Sequence, residues 1–513
     1  MKLRRFFMFI MLCIMGALSA VAFFSSNMFD AAYFEFAYFG IDKIWLHLLL
    51  ALLLTFLFIA VSPHIHPAKP RRFLHVMLAC STIFSAAVSF YWAWICHYVP
   101  VWDPGIVCSS ALTLASGQTL AADQLAYMAK HPYQLGLVTL FQWILRLFGN
   151  GGSSFMTLHY FMAGCIPVIL LAGCRLCRLL FDSTKTCCYY LLLGCGCLPL
   201  FLYVNFIYSD IPGILLMLLS LDGLIAYLKR GSRVQGCLGL LCLVLATIIR
   251  KHTLIIVIAV TLIWFLNALY RRSRRQFAEA LAIPVVVILC SNLFTSQVCR
   301  YYQVPTDKAA PSVIWIAMGM QESRFGSGWF NGYVDQQYEE LHGDPDLLSQ
   351  EAFADIRDSL SEFAAHPRHA VSFYLHKILI QWNQPSYQCL GLSKTYEEMP
   401  GELVNNIYFG RINSVLRIYF DCYQLLVYAG TGICIASCFI AMRHKRFPDY
   451  FLIPLLAILG GFLFSLLWEA KSRYIMPYFI LMLPYAAKGI GHWDNVSGKI
   501  HRRTLKYANR GKI

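Results

Sequence analysis

The sequence predicts an all-α polytopic membrane protein of about twelve transmembrane helices, with a helical juxtamembrane loop and a larger α-rich loop segment outside the bilayer. Only 13% of the 513 residues are charged, about half the ~25% of a soluble chain, and the mean hydropathy is +0.57. Apolar runs close to the ~20 residues that a helix needs to cross a bilayer recur from end to end. The basic residues gather in short clusters between those runs. These observations exclude a soluble enzyme, a disordered chain and a nucleic-acid-binding module. The net charge of +15 follows from the excess of Lys and Arg on cytoplasmic loops of membrane proteins, so no nucleic-acid partner is expected.

The first run follows Lys2, Arg4 and Arg5 and extends to Phe24. It is long for a cleaved signal, so Ala20-Val21-Ala22 is read as part of a retained signal-anchor helix. Further runs cover roughly 44–62, 73–97, 155–180, 187–206, 210–228, 236–250, 253–270, 277–298, 413–442, 449–467 and 474–490. Alternating from an inner N-terminus, every inner connection carries at least three basic residues, among them Arg271, Arg272, Arg274 and Arg275. Both termini are therefore expected in the cytoplasm of a multi-pass cell-membrane protein. Residues 134–149 are apolar but interrupted by Gln134, Gln142 and Arg146. Counting them as a span would put the four-arginine cluster outside, so they are read as an interfacial amphipathic helix on the outer surface.

The resulting organisation is two leading helices (1–72), a transmembrane core (73–298) with a first outer loop (98–154), a large outer segment (299–412), three last helices (413–490) and a basic cytoplasmic tail (491–513). The large outer segment holds 14 acidic against eight basic residues, the reverse of the inner loops. A polar segment of that length is usually functional or a small domain. Asp344-Pro345 opens helical pieces over 345–382 that continue through His366-Pro367. Most of the nineteen cysteines lie in apolar runs and read as packing residues. His64 and His66, without a neighbouring carboxylate, read as turn residues.

Ionisable residues near membrane depth cost about 2.5–3.5 kcal/mol each on insertion scales, so their placement carries information. On this topology Asp103, Lys130, His131, Asp210, Arg250, Lys251, His252, Glu469, Lys471 and Arg473 all fall on the outer side. Three acids and several bases bordering one face suit an anionic lipid headgroup and a polar co-substrate. Asp103, in Trp102-Asp103-Pro104, also fits an ordinary N-cap before a helical Pro. Asp210 has the same alternative as the cap of the next span. Lys130-His131 fits a basic interfacial anchor, whereas Arg250-Lys251 breaks the positive-inside pattern and fits a lipid phosphate. Arg473 supplies the planar fork that suits phosphate. Trp329 and Tyr333 are candidates for stacking on a sugar, or for a small core. No P-loop, Gly-x-Ser-x-Gly elbow or His-Glu-x-x-His occurs.

The pattern comprises an outer Trp102-Asp103-Pro104, then Lys130-His131-Pro132 leading an amphipathic helix that ends in Leu147-Phe148-Gly149. After it come Arg175 and Arg178 at the end of a span, a Ser209-Asp210 outer turn, His366-Pro367 with Lys377 and Trp382, and Ser472-Arg473-Tyr474. It resembles the GT-C glycosyltransferases, the superfamily that includes protein O-mannosyltransferases and lipid A aminoarabinose transferase. The resemblance covers most of residues 73–490 and rests on short motifs. It implies a polyprenyl-phosphate sugar donor and a glycan, lipid or protein acceptor outside the cytoplasmic membrane. It also implies a catalytic acid in the first large outer loop, which falls on Asp103. The lysine before the surface helix falls on Lys130 and the late arginine on Arg473. The family motif often has two adjacent acids, whereas here Pro104 follows Asp103, which leaves a single base as the simpler reading.

The expected activity is thus inverting sugar transfer from a lipid phosphate. Asp103 would be the general base and Asp210 would orient it or the acceptor. Lys130, His131, Arg250, Lys251 and Arg473 would hold the donor phosphate, and Trp329 and Tyr333 the acceptor. No cofactor is required, no metal ligand is assigned, and nothing in the sequence supports a divalent cation. Two other classes share the topology. A lipid-linked saccharide polymerase or ligase would need an arginine in the large outer loop and not Asp103. A transporter or flippase would need broken helices and charges at the bilayer midplane.

Overall fold

The computed structural model describes residues 2–29, 37–61, 70–96, 98–149, 155–394, 399–442 and 448–492. His64, His66 and the basic tail beyond residue 492 lie outside them. The chain is an all-α multi-pass membrane protein to which one short hairpin is added. Among the described residues, eight helices are long and apolar enough to cross a bilayer, from Leu3–Phe24 to Asp449–Leu467. The runs predicted at 44–62, 236–250 and 474–490 are helical too, but shorter in their described or apolar extent. With no water in the bilayer core, these stretches satisfy their backbone groups internally as helices.

The run predicted at 187–206 is broken. The helices Thr184–Gly196 and Leu198–Asn205 meet at 51°. Pro199 sits in the first turn of the second piece, where its missing N–H costs nothing. The carbonyls freed at the break are taken up by two tyrosines of the helix Arg411–Ala441: Tyr423 donates to Leu193 O (2.6 Å) and Tyr419 to Gly196 O (2.5 Å).

Burial sorts the helices. Met156–Phe181 and Asp210–Arg230 are mostly enclosed, whereas Pro70–Cys96 and Arg274–Tyr301 turn most of their surface outward. Asp210–Arg230 packs most closely against Arg233–Ile249 through Gly223 and Gly239. A Cβ on Gly223 would lie 2.6 Å from Gly239 Cα, so the two backbones touch as small residues in membrane helices allow. Gly239→Val is expected to destabilise the protein by about 1–3 kcal/mol through overpacking, read as a lower melting temperature in detergent.

The hairpin pairs β1 (Ser25–Phe29) with β2 (Ala37–Ile41), antiparallel, between the first two helices. The reading of the chain as wholly α-helical missed it. β1 carries Ser25, Ser26 and Asn27, too short and polar for a strand signal, and its pairing is reinforced from afar. Asn27 N donates to Asn383 O (2.8 Å), and Asn383 Nδ2 donates to Ser25 O (2.9 Å).

The segment 299–412, read as lying outside the bilayer, forms helices Val313–Gly319, Tyr333–Glu340, Pro345–Ala365 and Pro367–Trp382. Asp344 caps the third through Asp346 N and Leu347 N, and the helical stretch read as continuing through His366-Pro367 is broken there, one helix ending at Ala365 and the next starting at Pro367. All nineteen cysteines are free, and most are buried.

Candidate functional site

Asp103 lies in the first turn of the helix Trp102–Ala115, whose N-cap position is Val101, with no side-chain cap. The cap reading of Asp103 is therefore not what the structure shows. Its carboxylate is exposed and uncommitted to the helix backbone. The turn into it is tight. Trp102 takes φ +54°, a conformation uncommon for a bulky residue, and a Cβ on Gly105 would lie 2.8 Å from Pro100 O.

The helices Ala122–Lys130 and Leu135–Phe148 form one wall. The second has 14 residues, ~21 Å at 1.5 Å per residue, too short to span. Its polar interruptions are tethers. Gln142 and Arg146 donate to Leu114 O (3.2 and 2.9 Å), Gln142 accepts from Tyr302 (2.5 Å), and Gln134 donates to the Tyr208 hydroxyl. Trp143, Leu147 and Phe148 remain exposed on the opposite side, as an interfacial helix requires. The Tyr127 phenol feels the Asp103 carboxylate. Burial, reinforced by nearby phenols and the Asp103 charge, pushes Tyr127 and Tyr133 well up, so both stay protonated.

His131 packs its ring near Tyr127 (4.8 Å), Tyr133 (5.8 Å) and Trp315 (5.8 Å). Burial lowers its pKa to about 4, against the opposing pull of Asp103. His131 is therefore neutral at physiological pH and contributes no cation to a phosphate. Because the unfolded chain takes up this proton near pH 6.5 and the folded one only near 4, stability falls as pH drops through that window. His131→Gln is expected to flatten the decline of melting temperature between pH 6.5 and 4.

Arg473 forms the opposite wall, on the turn Ser472–Ile475. Ser472 Oγ donates to Gln384 Oε1 (3.0 Å) and Arg473 N to Gln388 Oε1 (3.3 Å), so the outer segment sets its position. Its guanidinium lies over Tyr474 (5.0 Å), Tyr208 (5.4 Å) and Phe206 (5.5 Å). Nε is buried with no hydrogen-bond partner. Among the described residues no carboxylate comes within ion-pair distance of it. Tyr208 joins the two walls, since it feels both the Asp103 carboxylate and the Arg473 guanidinium.

The other expected residues are placed differently. Asp210 and Arg250 form an ion pair with each other, and both are buried. Arg250 is committed to Asp210 rather than open to a lipid phosphate, and Asp210 is closed to an acceptor. Lys251 is exposed at the same helix end. Lys130 reaches Asp335 (2.6 Å), itself 60% exposed, and lies over the Tyr338 ring. Trp329 has no exposure and packs with Ile380 and Ala470, so the small-core alternative describes it. Tyr333 donates to Asp355 (2.5 Å) within the outer segment. Neither faces the Asp103–Arg473 region with an open ring.

Several lining residues carried no sequence signal. Tyr127, Tyr133, Tyr208 and Tyr474 are ordinary aromatics until the fold gathers them. Trp315 stacks on Trp468 (6.0 Å), and His252 lies against Trp468 (6.1 Å) and Tyr474 (4.8 Å). These contacts form a chain of rings from His131 through Trp315 and Trp468 to His252 and Tyr474. Glu469 pairs with Lys471 (3.2 Å) and accepts from Tyr474 (2.8 Å). Lys377 is fully buried and donates to Gly319 O, and burial lowers its pKa to about 7. A cleft of about 670 Å³ opens at the other end of the bundle, lined by Arg4, Arg233, Arg271, Arg275, Glu279 and Asp449. It contains no member of the candidate site.

No protein-family model matches this chain, and no curated protein matches it.

Proposed function

We propose that this protein is a GT-C-like membrane glycosyltransferase. It moves a sugar from a polyprenyl-phosphate donor to a hydroxyl acceptor at the outer face of the cytoplasmic membrane, with twelve spans and both termini inside. The observation that carries the reading is the pairing of opposites around Tyr208. On one side is an exposed, uncapped Asp103; on the other is Arg473, ringed by aromatic faces and without a carboxylate partner.

An acceptor hydroxyl is a poor nucleophile at neutral pH. Asp103 takes its proton as the oxygen attacks the anomeric carbon, a contribution of roughly 10²–10⁴-fold. The bond from that carbon to the phosphate oxygen breaks, its electron pair leaves with the lipid phosphate, and the anomeric centre inverts. The growing phosphate charge needs fixed donors. Arg473 supplies a bidentate fork, already shaped by its aromatic surroundings. Lys130 is a second cation, because its partner Asp335 is mostly exposed and an exposed pair is weak. Tyr127, Tyr133 and Tyr208 stay protonated and donate hydrogen bonds. The outer segment 299–412 covers the site through Trp315 and positions Arg473 through the loop after Trp382.

The transporter reading draws on the break at Cys197. That break carries no Asp, Glu, Lys, Arg or His, and its free carbonyls are occupied by Tyr419 and Tyr423.

The test incubates purified protein with radiolabelled polyprenyl-phosphate sugars and a membrane extract as acceptor source. Transfer of label from the donor to a second product supports the class and names the sugar. A donor panel that is bound but never consumed overturns it.

A further inference from the structure

We infer that Asp42, His47 and Asp421 form a binding site for one divalent transition-metal cation, of the Zn²⁺ or Mn²⁺ kind, at the foot of the β1–β2 hairpin. This inference is independent of the sugar-transfer reading and uses none of its residues.

The three side chains offer ligand atoms that all lie within 4.8 Å of one another. Two ligands held ~2.1 Å from a tetrahedral ion stand ~3.4 Å apart, so the spacing fits. His47 Nδ1 lies 3.0 Å from Phe23 O. A carbonyl only accepts, so Nδ1 carries the hydrogen and donates. In the neutral ring Nε2 then presents its lone pair, yet it faces Asp421 Oδ2 at 2.9 Å. Two acceptors at that distance require a proton or a metal ion between them. A ring whose second nitrogen donates to a backbone carbonyl is the usual orientation of a metal-binding histidine.

Charge balance points the same way. His47 and Asp421 are buried, and Asp42 Oδ2 and Asp421 Oδ1 are buried atoms without a hydrogen-bond partner. Among the described residues neither carboxylate has a Lys or Arg within ion-pair distance. A single proton on the imidazole leaves two carboxylates with one net negative charge, which is costly to bury. A divalent cation with a neutral imidazole and two carboxylates leaves none. One nitrogen and two carboxylate ligands suit a borderline cation better than Mg²⁺, which keeps most of its water. Ser26 Oγ donates to Asp42 Oδ1 (2.7 Å) and orients that ligand.

The placement gives the ion a structural role. Asp42 and His47 belong to the leading pair of helices and Asp421 to the helix Arg411–Ala441, 374 residues beyond His47. The hairpin also grips Asn383, at the start of the loop whose Gln384 and Gln388 hold Ser472 and Arg473. The metal therefore pins the leading pair to the core.

The experiment strips the detergent-purified full chain with chelator, removes the chelator and titrates in ZnCl₂. Bound metal is read by inductively coupled plasma mass spectrometry, and melting temperature is followed in parallel. The expected result is one Zn²⁺ per chain and a rise in melting temperature of roughly 5 °C. His47→Ala and Asp421→Asn should lose the stoichiometric ion, while Lys43→Gln retains it. Because either variant could fail to fold, wild type is also loaded with Co²⁺. Visible absorption typical of a low-coordinate site, abolished by added Zn²⁺, supports the assignment. No bound metal and no thermal shift in wild type would overturn it in favour of a proton-sharing cluster. Undiminished binding in both variants would overturn it by placing the ion elsewhere.

Discussion

Replacing Asp103 with Asn is expected to lower sugar transfer by roughly 10²–10⁴-fold while leaving the melting temperature unchanged. The substitution keeps shape and removes only the capacity to take a proton. Asp103 is exposed and caps no backbone N–H, so the fold does not depend on its charge. Arg473→Lys should act differently. It keeps the charge but loses the planar fork, so weaker donor binding is the expected loss, read as a raised KM for the lipid donor. Asp123→Asn, on the neighbouring helix, is the control and should behave as wild type. The measurement is initial-rate transfer of label over a range of donor concentrations. Unchanged transfer by the Asp103 variant would move the base elsewhere. His131 would be next in line, since it is neutral and its Nδ1 is buried without a hydrogen-bond partner. Asp210 is poorly suited to that role because Arg250 occupies it.

The second large effect concerns that pair. Removing either partner of a buried ion pair leaves an uncompensated charge and costs about 3–5 kcal/mol, whereas replacing both with apolar residues is often neutral. Asp210→Ala and Arg250→Ala are each expected to be destabilised by about that amount, with sharply reduced yield of monodisperse protein. Asp210→Leu combined with Arg250→Met should recover most of the loss. Thermal denaturation followed by size-exclusion chromatography in detergent compares the three. If the double variant is as unstable as the worse single one, the pair is held by contacts other than each other. The same set separates structure from chemistry, because a stable double variant that still transfers sugar would exclude both residues from the reaction.

How far the sequence reached depends on the range of the interactions involved. Membrane helices are local objects, and an apolar run must close its own hydrogen bonds, so the positions of the long helices could be read directly. The short helix Leu135–Phe148 was legible for the same reason, since Gln134, Gln142 and Arg146 recur at helical spacing and forbid a span. Asp344-Pro345 marked a helix start through backbone chemistry confined to a few residues, whereas the helical stretch was read through His366-Pro367, where the structure breaks it. The break at Cys197 was harder, because a single Pro199 is compatible with a kinked span or a broken one. The tyrosines that decide it come from the helix Arg411–Ala441. The hairpin was invisible, as its register depends on Asn383.

Among the candidate residues, a charge count suggested which ones share one face, and the fold assigned their partners. Arg250 and Arg473 read alike in the sequence, each an unexpected basic residue at the outer end of a helix. Tertiary packing gives Arg250 a buried carboxylate and gives Arg473 three aromatic faces and none, and this difference separates a structural cation from one open to phosphate. Trp329 and Tyr333 were similarly ambiguous until packing enclosed the first and hydrogen-bonded the second. By itself the sequence determined a multi-pass helical membrane protein with its unusual charges confined to a few turns, because hydrophobic length and backbone satisfaction act within a segment. Only the tertiary structure decided which charges neutralise one another and which stand unpaired. Ion pairing and desolvation depend on separations of a few ångströms between residues hundreds of positions apart.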